Sequence, residues 1–300
     1  MEFRDIGVMS PGDMGQALAI RLAEAGFLIH TALAGRSERT RSLAAAAGIH
    51  DCETLDALVT TCDLVISVVN PAHALDLAGG LAGAMLRTGR TVIVADLNAI
   101  SPSHARAAAA LIAKAGGRFI DGAVLGVPPR GEQRVRILAS GPDAAVLEQI
   151  GQPALQVRVL SDRVGDASAL KMCNAALTKG MAAVVLELLV AARRLGVQEA
   201  LVAELREGRA DVLEAQLRSL PGLPSKAHRW VPEMLEIAAT FADVGLTPDL
   251  FEGIAGLYAA VADTDLGRES PEAARQSGRS GEDVILKLAG TVQAPQRDVP

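Results

Sequence analysis

Residues 6–26 read Ile6-Gly7-Val8-Met9-Ser10-Pro11-Gly12-Asp13-Met14-Gly15-Gln16-Ala17-Leu18-Ala19-Ile20-Arg21-Leu22-Ala23-Glu24-Ala25-Gly26. An apolar run gives way to a turn with two glycines, and the turn to apolar residues at helical spacing. Strand, glycine turn and helix make up the setting in which a dinucleotide fingerprint has physical meaning. Gly12 lets a backbone approach a pyrophosphate, and Gly15 lets the helix pack close to the strand. The N–H groups and positive end of that helix then face the phosphates. Ser10 stands where G-x-G-x-x-G has its first glycine. Taken alone, the segment Ser10, Pro11, Gly12, Asp13, Met14, Gly15 also fits a plain strand-to-helix turn. The residues after the second strand weigh against that plainer reading.

Phe27 to Leu33 reads as the second strand. A NAD-binding domain usually ends this strand with an acid that bonds the ribose hydroxyls. Here the chain continues Ala34-Gly35-Arg36-Ser37-Glu38-Arg39-Thr40-Arg41. Arg36, Ser37 and Arg39 offer donors suited to a 2′-phosphate. A solvated first turn of a helix over 38–47 is the alternative. Cations at a helix N-terminus oppose its dipole, however, which favours an anion nearby. The expected cofactor is NADP(H).

The 300 residues correspond to about two domains of ordinary size. Half are hydrophobic and only 2% aromatic, which favours close helix packing over aromatic-rich β architecture. A net charge of −6 leaves no broad basic surface, so nucleic-acid binding is disfavoured. Cys52, Cys62 and Cys173 are an odd set without framework spacing, as expected in a reducing cytoplasm. Met1 to Asp5 lead straight into a strand, so no secretory leader is expected. The longest apolar run, Met181 to Ala192, contains Glu187 and is too short to span a bilayer. His30, His50, His73, His104 and His228 show no metal-ligand spacing, and no metal is expected.

In the first half, strand and helix patterns alternate. Leu64 to Val69 and Thr91 to Ala95 are continuous apolar runs of the kind found in parallel strands covered on both faces. Helical patterns cover 54–61, 71–86 and 101–115, the last opened by Ser101-Pro102. Arg118 to Ala123, Val135 to Ala139 and Gln156 to Leu160 read as further strands. From about residue 163 the strand signals stop. Residues 168–195 form one long helical pattern, apolar on nearly all sides, which predicts burial. Further helices are expected at 198–219, 225–244 and 248–263, with a polar, partly disordered tail from about 267. The fold class expected is α/β: an N-terminal Rossmann-type, doubly wound sheet over 1–162, then an all-α domain over 163–300 entered by a long interdomain helix.

Ligands of open α/β sheets bind outside the carboxyl ends of the strands. Val69, Asn70 and Pro71 fall there and would line the cofactor, with Asn98. Asn98 and Ser101, from Asp96-Leu97-Asn98-Ala99-Ile100-Ser101, would reach substrate; helix capping is the alternative. Gly122, Ala123, Val124 and Gly126 would shape the substrate pocket, or form an ordinary loop. On the long helix, Lys171 and Asn174 are three apart and share a face. An amine on a buried helix costs desolvation, and burial lowers its pKa toward the range for proton transfer. Thr178 and Lys179 extend this polar seam. The alternative for both lysines is snorkelling to solvent.

In this order and spacing the segments resemble the β-hydroxyacid dehydrogenase superfamily, which includes 3-hydroxyisobutyrate dehydrogenase and the coenzyme domain of 6-phosphogluconate dehydrogenase. The resemblance covers about residues 5–190. It implies an NADP(H)-dependent oxidoreductase acting on CH–OH and carbonyl groups, with Lys171 at the proton-transfer position and Asn174 as its companion. The part around Ala227-His228-Arg229-Trp230-Val231-Pro232 resembles a poorly characterised phosphogluconate-dehydrogenase-like subfamily. Where the family's second substrate segment carries serine and two glycines, this chain has Leu125, Gly126 and Val127, which points to a less polar or larger substrate. An imine reductase on the same fold is one alternative, although the lysine position in that group is commonly another residue. A non-catalytic NADPH-binding sensor is the other. A homodimer through the helical half, residues 168–264, is expected, with no membrane partner.

Overall fold

The structure is a computed structural model that describes residues 3–292. The first half alternates as β1 Asp5–Met9, α1 Asp13–Glu24, β2 Leu28–Thr31, α2 Glu38–Ala46, β3 His50–Asp51, α3 Leu55–Thr61, β4 Leu64–Ser67, α4 Ala74–Thr88, β5 Ile93–Asp96, α5 Pro102–Lys114 and β6 Arg118–Leu125. β7 Val135–Ser140 and β8 Leu155–Ser161 complete one sheet of order β3-β2-β1-β4-β5-β6-β7-β8. β1 to β6 run parallel, β7 is antiparallel to β6, and β8 is parallel to β7.

The period-2 alternation of β1 shows why helices cover both faces. Ile6 and Val8 join a buried cluster with Leu18 and Leu22 of α1 and Ile66 of β4. Met9 joins the opposite cluster, with Leu58 of α3, Leu81 and Met85 of α4 and Ile112 of α5. Burying each such side chain stabilises by about 1.5–3 kcal/mol. The helix starts are set locally. Ser37, Thr54 and Ser101 accept from backbone N–H groups of Thr40, Ala57 and His104 as N-caps of α2, α3 and α5.

The sheet is followed by α6 Asp166–Arg194, a single helix of 29 residues. The chain forms two compact units, the first ending at Met172 and the second beginning at Cys173. The division therefore falls inside α6 rather than at the 162/163 boundary read from the sequence. The second unit holds α7 Gln198–Ser219, α8 Pro224–Ala242, α9 Asp249–Ala262, α10 Asp265–Arg268, α11 Pro271–Gln276 and α12 Gly281–Thr291. Aromatic pairs tie α8 to α9: Trp230 to Tyr258 at 5.1 Å between ring centroids, and Phe241 to Phe251 at 4.7 Å. The Tyr258 hydroxyl donates to the Lys179 carbonyl at 2.6 Å, fixing α9 on α6.

Three sequence expectations need correction. α6 is not buried all round: Leu177, Met181 and Val184 make an exposed stripe, 66%, 37% and 50% accessible. Nor does its length rule out a membrane span as the run Met181 to Ala192 did. Over 29 residues it is the one helix among the described residues that is long and apolar enough to cross, and half of its most apolar window is buried inside the protein. The stretch after 267 carries helices as far as Thr291, because α10, α11 and α12 are capped by Thr264, Ser270 and Ser280, and Val284, Ile285 and Leu288 are buried. The expected disorder of the last residues, Ala294 to Pro300, concerns positions outside the described residues.

Candidate cofactor and catalytic site

The glycine turn sits at the carboxyl end of β1. Ser10 adopts a left-handed φ of +61°, which explains why glycine is usual at this position. Its carbonyl accepts from Gly12 N at 2.6 Å, closing the turn. A Cβ on Gly15 would lie 2.7 Å from Ser10 O, so this chain's own backbone demands glycine there. A Cβ on Gly12 would meet only Ser10 O, at 3.9 Å. Among the described residues nothing crowds a side chain at position 12; a ligand approaching the backbone would. Gly12 also leaves the N-terminus of α1 without a side-chain cap. A bare cradle on an uncapped helix start fits the pyrophosphate of a dinucleotide.

Beside the turn lies a cavity of about 540 Å³ lined by Gly35, Arg36, Glu53, Thr54, Leu77 and Arg87, among others. Arg36 is half-buried on its wall. Ser37 caps α2, and its hydroxyl accepts from Thr40 N at 3.3 Å. Arg39 reaches Asp13 at 3.4 Å, and so does Arg130. Two guanidinium groups thus converge at the mouth of the glycine turn. Arg130 was missed by sequence reasoning because the chain brings it back from 117 residues away. Glu53, held at φ +65° by the turn after β3, was missed as well. It puts a carboxylate in the same cavity as Arg36, although β2 itself ends without one.

Ser67 and Asp96 end β4 and β5, and Asp121, inside β6, stands in register with them. Asn98 spends its amide here. Its Nδ2 donates to Ser67 Oγ at 2.7 Å and Asp96 Oδ2 at 2.9 Å, and its Oδ1 accepts from Val69 N at 2.6 Å. Buried and engaged on three sides, Asn98 shapes the strand ends and the Val69–Asn70–Pro71 loop instead of offering donors to a ligand. The Ser101 hydroxyl is likewise buried in capping α5. Gly122, Ala123 and Val124 are buried inside β6, not in a loop after it, because pairing with β7 extends β6 to Leu125. A Cβ on Gly122 would run into the Leu97 side chain and lie 3.0 Å from the Asp96 carbonyl oxygen, so glycine relieves tight packing there. Gly126 is exposed just beyond, at φ +127°. Asn70 is exposed, and its side chain accepts from Ala72 N at 3.1 Å.

Asp121 positions the start of α6. It accepts from the hydroxyls of Ser168 (2.6 Å) and Ser140 (2.8 Å) and from the N–H groups of Gly165 (2.8 Å) and Ser168 (3.2 Å). Burial raises its carboxyl above the usual range despite these donors. The next turn of α6 presents Lys171. Desolvation lowers its amine to about 8, opposed by the charge of Asp96. Burial pushes Asp96 up to about 7, while its hydrogen bonds to Asn98 and the Lys171 charge pull the other way. An amine and a carboxyl thus act on each other with proton affinities brought close to neutral pH, a pattern that clusters at functional sites. Asn174 follows one turn later on α6 and is exposed. Lys179 does not continue the seam as a loose amine: it pairs with Glu233 and lies 5.6 Å from the centroid of the Trp230 ring.

Comparison with known proteins decides the family. Residues 5–157 match the model of the NAD binding domain of 6-phosphogluconate dehydrogenase. The chain belongs to the β-hydroxyacid dehydrogenase superfamily. An NAD(P)-binding domain is therefore present, and the coarse assignment is an NAD(P)-dependent oxidoreductase. Residues 192–261 of this family member match a domain of unknown function, DUF1932. An uncharacterized 28.5 kDa protein in the 7S RNA 5′ region of Methanothermus fervidus is 33% identical over 184 residues, 60% of this chain and 67% of that protein. Among solved structures, the conserved protein MTH1747 of unknown function, described as structurally similar to 3-hydroxyacid dehydrogenases, is 34% identical. The match covers 86% of this chain and 97% of that one, with a TM-score of 0.61. The 3-hydroxyisobutyrate dehydrogenase of Mycobacterium tuberculosis, studied with L-serine, shares the fold at 19% identity, with 93% and 100% coverage and a TM-score of 0.68.

Proposed function

We propose that this chain is a cytoplasmic NADP(H)-dependent oxidoreductase that interconverts an alcohol and a carbonyl, with Lys171 as the proton-transfer residue. The observation that carries the reading is the Lys171 amine, lowered to about 8 by burial and within reach of the charge of the buried Asp96, on a helix start pinned by Asp121. When bound, NADPH supplies the hydride. The backbone of Ser10 to Gly15 would receive the pyrophosphate, and Arg36, Ser37 and Arg39 the 2′-phosphate. In reduction, the ammonium of Lys171 gives its proton to the carbonyl oxygen. In oxidation, the neutral amine takes the proton from the hydroxyl. Asp96 holds the charged form of Lys171 and Asn174 orients the reacting pair. A binding-only NADPH sensor would show tight NADPH affinity and no turnover on any carbonyl, and that assay separates the two readings.

Cofactor choice depends on the Arg36 cavity. NADPH is expected to bind roughly ten-fold or more tightly than NADH, since a charge-assisted contact contributes about 1.5–3 kcal/mol. Arg36→Ala should remove most of the preference in a fluorescence titration with both cofactors. Equal affinities in the unmodified protein would refute it, with Glu53 then the residue to examine.

The exposed stripe of Leu177, Met181 and Val184 supports a homodimer through the helical half. Light scattering at micromolar concentration should return twice the chain mass, and Leu177→Glu with Val184→Glu should return the monomer. A monomeric parent protein would rule this assembly out.

A further inference from the structure

At the edge of the sheet the parallel register places His30 of β2 opposite His50 of β3. Paired residues project to one face, and Cys52, two residues beyond His50, returns to it. One ligand atom from each of the three lies within 4.8 Å of the others. His30 Nδ1 stands 3.8 Å from Cys52 Sγ. Two ligands of a tetrahedral zinc, at bond lengths of about 2.0–2.1 Å to nitrogen and about 2.3 Å to sulfur, are separated by roughly 3.3–3.8 Å. The other ring nitrogen, His30 Nε2, donates to Asp5 of β1 at 2.7 Å. A carboxylate behind a histidine is the outer arrangement that turns the ring's free lone pair toward a metal. His30 is buried, Cys52 half-buried and His50 exposed, so the cluster reaches solvent at His50. None of these side chains has a part in the proton-transfer site.

We propose that His30, His50 and Cys52 form a binding site for one thiophilic divalent cation of the zinc class, with Asp5 as the positioning residue for His30 and a water in the fourth position. The Cys52 thiol releases its proton to solvent as the S–metal bond forms, both imidazoles bind through neutral nitrogens, and nothing is oxidised or reduced. Because Cys52 precedes Glu53 and Thr54 on the wall of the Arg36 cavity, the cation would clip β2 to that wall.

The test strips the full-length protein with a chelator and titrates it with Co²⁺, whose thiolate complexes give a charge-transfer band. The band should saturate at one equivalent and be displaced by Zn²⁺. Cys52→Ser should abolish it. His50→Ala changes an exposed side chain, so it keeps the fold, and should weaken cobalt binding by about ten-fold or more. Three results would overturn the proposal: no charge-transfer band, a band that survives in Cys52→Ser, or unchanged affinity in His50→Ala. Should Cys52→Ser fail to fold, the His50→Ala affinity decides the question.

Discussion

Lys171→Ala is expected to lower turnover about 10²–10⁴-fold, the usual contribution of a positioned acid or base. NADPH affinity and thermal stability should stay at parental values. The start of α6 is held by Asp121 through Gly165 and Ser168, and these bonds do not involve the Lys171 amine. Burial disfavours the charged amine, so truncation relieves a desolvation cost instead of adding one. The pH profile carries the sign. Reduction needs the protonated amine, so its rate should be level below about pH 8 and fall above it; oxidation needs the neutral amine and should rise through the same region. Both limbs should vanish in Lys171→Ala. Lys171→Arg would keep the charge but not the rate, since guanidinium holds its proton at every working pH. Asn174→Ala should cost less, because water can take over part of an orienting role. Turnover by Lys171→Ala within a few-fold of the parent would remove Lys171 from the mechanism.

Asp121→Ala should destabilise the protein by about 3 kcal/mol. The substitution strands the four donors that converge on this carboxylate, and each unsatisfied buried donor costs about 1–3 kcal/mol, partly recovered by rotation of the Ser140 and Ser168 hydroxyls. The expected readout is a lower urea midpoint at unchanged slope. Turnover should fall as well, since Asp121 sets the rise of the helix that presents Lys171. A midpoint matching the parent's would mean that the network does not hold α6.

Local patterns in the sequence were enough to read the framework. Strand alternation, the glycine turn and the Ser37 and Ser101 caps are decided by a few neighbouring residues, and the elements appear within a few residues of expectation. The helices after residue 264 carried legible signals too, in Ser270-Pro271 and the capping box of Ser280 with Asp283, but polar composition masked them. What stayed hidden was long-range. Strand β6 outran its apolar pattern because an antiparallel partner extends it. Arg130 reaches Asp13, and His30 meets His50 and Cys52, only through the register of the sheet. Asn98, Ser101 and Gly122 were legible as special positions but not by role. A buried cap, a tight glycine and a ligand contact draw on the same residue types, and only the hydrogen-bond partners tell them apart.

The most direct test is steady-state loss of NADPH absorbance by the purified protein against a panel of aldehydes, ketones and hydroxy acids (the last with NADP⁺). Lys171→Ala is run beside it, and NADPH affinity is measured for both. If Lys171 transfers the proton, the parent turns over at least one substrate, the variant does so at least about a hundred-fold more slowly, and the two proteins bind NADPH equally. Tight NADPH binding with no turnover on any compound, or equal turnover by both proteins, would contradict that role.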